Sequence, residues 1–124
     1  MTRLARDRRG VSAVETALAF PVFALFLYAL VDLGLMAWSR VSLQFAVEEA
    51  ARCYSIKSPS CLTVRDTQRY AVGATYGFNA TTENFSVGTE GCGVRVRGFY
   101  RYAMMSHIGT SLTTLLSADT CMPM

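Results

Sequence analysis

The sequence predicts a membrane-anchored α+β protein: a long N-terminal helix, with a short second helix packed on a small antiparallel β-sheet. Three observations point there. Residues 17–38 form an apolar run of 22 residues with one charge, Asp32. After that run the apolar pattern shifts from helical spacing to strand-like alternation. All four cysteines, Cys53, Cys61, Cys92 and Cys121, lie beyond it.

As a helix, 22 residues extend about 33 Å, enough for the hydrocarbon core of a bilayer. A core helix in a soluble protein rarely runs so far without a polar stripe. The residues ahead of the run are basic. Arg3, Arg6, Arg8 and Arg9 outweigh Asp7, whereas residues 11–124 carry 8 basic and 8 acidic side chains. The formal charge of +3 therefore belongs to the leader. A neutral body has no positive field to hold phosphates, which excludes nucleic acid as a partner. Arginines before a span stay on the cytoplasmic side. The expected organisation is a basic leader over residues 1–10, a transmembrane helix over 11–38 and an extracytoplasmic α+β domain over 39–124. The chain is expected to cross a membrane once, with the N-terminus in the cytoplasm and residues 39–124 outside.

The first helix is expected to continue from Val11 to about Cys53. Leu43, Val47, Ala50, Ala51 and Tyr54 form an apolar stripe at helical spacing. Glu48 and Arg52, four residues apart, can pair on its surface. Pro59 and the surrounding serines mark the loop that ends it. Residues 63–78 read as a second helix, with Thr63 as N-cap and Asp66 at the third helical position. Val64, Tyr70, Ala71, Ala74 and Phe78 are its expected inner side. Strands follow around residues 81–88, around 92–102 and near the C-terminus, with a glycine-rich hairpin, "GTEGCG", joining the first two. In the second, Val94, Val96 and Tyr100 alternate with Arg95 and Arg97. "AMMSHIG" before the last strand reads as a helical turn.

An even number of cysteines in a small extracytoplasmic domain reads as disulfides. Of three pairings, Cys53–Cys61 with Cys92–Cys121 is preferred, because each bond closes a structural unit. Zinc is disfavoured: there is no CxxC pair, and His107 is the single histidine. Neither metal nor cofactor is expected. Ser106–His107 lacks a third group to orient a catalytic base, so the chain is not read as an enzyme. Arg95, Arg97 and Arg101 form a basic row, either a solvated face or a contact for an acidic partner.

One residue resists a plain anchor. Glu15 lies at the mouth of the apolar run, where a carboxylate is costly, five residues after Gly10. A cleavable secretory signal has an apolar stretch of about 7–15 residues and does not fit this length. An uncleaved signal anchor fits the length and leaves Glu15 unexplained. Pro21 withdraws a backbone donor from the helix and is read as a kink, or as a point where residues 17–21 unwind on extraction from the membrane. Asp32 is either a solvated acid at the helix end or a pairing site for a partner helix.

Taken together, "RRGVSAVETALAFPVFALFLYALVDLG" resembles the opening of TadE-like proteins, pseudopilins of the tight-adherence (Flp-type) pilus systems. The likeness rests on Arg8–Arg9, Gly10, Ala13–Val14–Glu15, Pro21 and Asp32–Gly34; Thr16 departs from it, standing where an aromatic often follows the glutamate. The resemblance implies a type IV pilin-like fold and cleavage between Gly10 and Val11 by a prepilin peptidase. It implies a role for Glu15 in neutralising the new amine during assembly. It also implies partners among other pilins, pseudopilins and the assembly platform, and a minor pseudopilin of the bacterial inner membrane or the pilus filament, its domain periplasmic or extracellular, acting in pilus assembly, priming and adhesion. The alternative is a signal-anchored envelope protein whose outer domain binds a ligand or partner.

Overall fold

The computed structural model describes residues 8–104 and 113–124. It is an α+β structure with two helices, α1 (Arg8–Ser55) and α2 (Val64–Gly73), and three strands, β1 (Phe85–Glu90), β2 (Gly93–Ala103) and β3 (Thr113–Met122). Short 3-10 turns precede α2 and β1, at Pro59–Cys61 and Thr82–Asn84. Contacts divide the chain into two compact units between Leu33 and Gly34.

The described part of the first unit is the leading portion of α1. Its side chains from Ser12 onward are exposed almost throughout, including Leu18, Phe20, Val22 and Phe26. Among the described residues, α1 is the one helix long and apolar enough to cross a membrane; its apolar 18-residue window has a mean hydropathy of 2.1 and is 6% buried. A helix apolar all round and covered by nothing is not stable in water; its surface calls for lipid or neighbouring apolar helices.

The second unit begins at Gly34 and holds a conventional core. The predicted stripe residues Leu43, Val47, Ala50 and Ala51 of α1 are fully buried, Ala46 is buried beside them, and Tyr54 packs at the edge. Opposite it lies a sheet of order β1-β2-β3, antiparallel at both junctions. Alternation sets the inner face. Val94, Val96, Gly98 and Tyr102 of β2 point to the core with Phe85 of β1 and Leu116 and Ala118 of β3. In register, Gly98 stands between Phe85 and Ala118. The small residues have a purpose: a Cβ on Gly98 would lie 2.9 Å from the Leu43 and Val47 methyls, so the glycine lets α1 seat against the sheet.

α2 is shorter than the sequence suggests. It starts as expected: Asp66 N donates to Thr63 Oγ1 at 3.1 Å, and Thr63 Oγ1 donates to Asp66 Oδ2 at 2.6 Å, which satisfies an end donor of the helix. It stops at Gly73 instead of Phe78. Gly77 takes φ +86°, outside the helical region, and Tyr76 N donates to Ser42 Oγ of α1 at 2.7 Å instead of to its own helix. Its inner side is also shifted. Thr67 and Ala71 are buried, whereas Val64 and Tyr70 sit on the flanks and are exposed. Thr67 tolerates burial because its hydroxyl donates to Thr63 O at 2.9 Å. Gln68 Nε2 donates to Phe85 O at 2.7 Å and ties α2 to β1.

Two further expectations change. Glu48 accepts from Gln44 Nε2 at 2.7 Å instead of pairing with Arg52, so the helix surface is held one turn earlier. The hairpin turn is Gly91–Cys92, with Gly88 to Glu90 inside β1, so Cys92 lies in the turn and not on a strand. The last strand forms over Thr113–Met122; the helical turn expected at residues 103–109 falls mostly outside the described residues, and its first residue, Ala103, ends β2.

Candidate functional site

The residues singled out near the N-terminus lie along the first part of α1. Gly10 and Glu15 are exposed helix positions, and Val11 is helical. Among the described residues outside its own stretch of helix, nothing lies within 4 Å of a Cβ built on Gly10. Thr16 Oγ1 donates back to Ser12 O at 2.9 Å, which hides its hydroxyl from the apolar surroundings. Pro21 sits inside α1, at an exposed position of an unbroken helical assignment. Its ring removes the N–H that would reach the Ala17 carbonyl.

Asp32 differs from its neighbours. Val31 and Leu33 are 61% and 54% exposed, while Asp32 is 9% exposed. Seven residues on, Ser39 is buried too and donates to Leu35 O at 2.9 Å.

The chemistry of this segment is that of packing. An exposed apolar helix presents one carboxylate, Glu15, near its start; a carboxylate moved into low dielectric is costly unless a cation meets it.

The four cysteines form two disulfides, Cys53–Cys61 and Cys92–Cys121, the pairing preferred above. The first fastens the end of α1 to the 3-10 turn ahead of α2. The second fastens the β1–β2 turn to β3. All four sulfurs are consumed.

The basic row is less free than its sequence suggests. Glu90 accepts from Arg97 at 2.9 Å and pairs with Arg95 at 3.1 Å, while Arg101 stays exposed on the same outer face. The signal was available: a hairpin turning at Gly91–Cys92 puts Glu90 on the face of Arg95 and Arg97. Sequence reasoning also passed over Ser42, whose partner, Tyr76 N, is distant in the chain and leaves no local trace.

Residues 10–52 match the family model described as TadE-like protein, the family to which residues 8–34 bear a resemblance. The match runs from the glycine ahead of the apolar run to the last turn of α1. No curated protein and no solved structure matches the chain.

Proposed function

We propose that the chain is a minor pseudopilin of a tight-adherence pilus system, a reading supported by the match of residues 10–52 to the TadE-like family model. It is made as a precursor with a basic leader, cut between Gly10 and Val11 by a prepilin peptidase, and held in the inner membrane by α1 with the second unit outside. It then joins other pilins or pseudopilins at the assembly platform and helps to prime or build an adhesive fibre. It turns over no substrate and uses no cofactor; its work is helix packing.

The observation that carries this reading is the bare apolar surface of α1 with Glu15 near its start. Uncovered apolar surface of this extent seeks a partner. Cleavage after Gly10 frees an amine on Val11, one helical turn from Glu15, able to meet that carboxylate on its own chain or on a neighbour's. Pro21 then supplies a weak point in the helix for extraction from the bilayer.

The test is the mature N-terminus. Co-expression with a prepilin peptidase is expected to remove ten residues, ending at Gly10, and Gly10→Ala is expected to block the cut. Glu15→Gln, which keeps the shape and removes the charge, is expected to leave cells without normal surface fibres. A native chain still starting at Met1 or Thr2 would turn the reading toward an anchored envelope protein.

A further inference from the structure

The second unit carries an apolar patch that its core does not use. Trp38, Val41 and Phe45 lie at helical spacing on the outer side of α1 and are 61%, 68% and 46% exposed. Tyr76, 60% exposed, reaches them from the loop after α2, and the four residues with Ser42 line one shallow groove. The loop is fastened in place. Tyr76 N donates to Ser42 Oγ at 2.7 Å. Gly77, at φ +86°, lies so close to the Trp38 ring that a Cβ there would be 2.9 Å from Cδ1 and Nε1.

We propose that this patch beds in the headgroup boundary of the outer leaflet, so that the water-facing unit leans on the bilayer by Trp38, Val41, Phe45 and Tyr76. The proposal rests on the membrane-anchored reading and adds a lipid-binding surface to it. Its first support is position in the chain. Trp38 ends the apolar run of residues 17–38, and Val41 and Phe45 prolong it by two helical turns. A helix from residue 17 to residue 45 is roughly 43 Å long, more than the ~30 Å of hydrocarbon, and its excess falls in the interfacial layer. The second support is chemistry: tryptophan and tyrosine, apolar bodies with one polar tip, are the side chains enriched at that depth. The third is where the patch stops. The outer side of α1 turns acidic at Glu48 and Glu49, which suits a surface that leaves the lipid one turn after Phe45. Exposed Arg40 lies within reach of lipid phosphates on the same stretch.

Trp38 is the single tryptophan, so it reports its own surroundings. The full chain is reconstituted in vesicles of phosphatidylethanolamine and phosphatidylglycerol, with and without lipids brominated near the headgroup. A second protein, Trp38→Phe with Tyr76→Trp, moves the reporter to the loop. Both reporters are expected to emit to the blue of free tryptophan and to be quenched several-fold more by brominated lipid than by aqueous iodide. Neither reading should change as lipid is raised over protein. A Tyr76-position reporter open to iodide and indifferent to brominated lipid overturns the proposal. A reporter shielded from both, and released to iodide on dilution in lipid, assigns the face to a second copy of the chain and also overturns it. Flotation reads the anchor separately: a wild-type chain that does not float with vesicles defeats the membrane reading beneath the proposal.

Discussion

At the scale of single residues, the second unit is set by its smallest positions. Gly98 sits where α1 crosses the sheet, facing the fully buried Leu43 and Val47. Gly98→Ala adds one methyl to a space with no slack: two contacts at 2.9 Å and one at 3.2 Å to Phe85. Overpacking of this kind costs about 1–3 kcal/mol. Thermal unfolding of the full chain in detergent, followed by near-ultraviolet circular dichroism, is expected to show that loss. Gly88→Ala on β1, where no atom lies within 4 Å, is expected to change little and serves as the control. The same positions show what was legible beforehand. Leu43, Val47, Val94 and Val96 announce themselves as core by spacing alone, because burial of a helix stripe or strand face repeats along the chain. Gly98 reads as a bare glycine in a strand, and its role depends on a helix fifty residues away. Thr67 was missed because a hydroxyl argues against burial until its partner, the Thr63 carbonyl, is known.

At the scale of elements, long periodic stretches were legible and their ends were not. α1 and β2 follow from patterning sustained over many residues, whereas β1, expected from about residue 81, starts at Phe85 because Thr82–Asn84 forms a 3-10 turn. α2 ends early because a contact outside it, Tyr76 N to Ser42 Oγ at 2.7 Å, competes with one more helical turn. The disulfides act on those uncertain ends. Cys53–Cys61 closes 8 residues of separation and Cys92–Cys121 closes 29. Loop-closure entropy grows with the logarithm of length, giving roughly 2.5 kcal/mol for the short bond and roughly 3.5 kcal/mol for the long one. Replacing Cys92 and Cys121 together by serine should therefore lower the unfolding midpoint more than replacing Cys53 and Cys61. Denaturant titration of the two double variants in detergent checks the order; the reverse order would mean that the α1–α2 junction, and not the sheet, limits stability.

For the whole molecule, the charge of the leader and the chemistry of the cysteines bear on the same question by independent routes. Four arginines precede the apolar run, while Arg40 and Arg52 are the basic residues in the first fifteen that follow it. That asymmetry favours a cytoplasmic N-terminus. Two disulfides in the second unit favour an oxidising compartment for residues 39–124, because cytosolic thiols are kept reduced. Neither argument uses the other's residues, so agreement between them carries weight that one alone would lack. The expected outcome in intact bacterial membranes is that a thiol reagent labels none of the four cysteines until a reductant is added. A protease applied to spheroplasts is expected to remove the second unit and spare the N-terminal helix. Replacing Arg3, Arg6, Arg8 and Arg9 by glutamine erases the bias and is expected to trap a fraction of chains with the domain inside. In those chains the cysteines, now facing reductant, should label directly. Free thiols throughout the wild-type population, with the domain resistant to external protease, would invert the topology and place the Glu15 end of α1 on the wrong side of the membrane for a cytoplasmic-face peptidase.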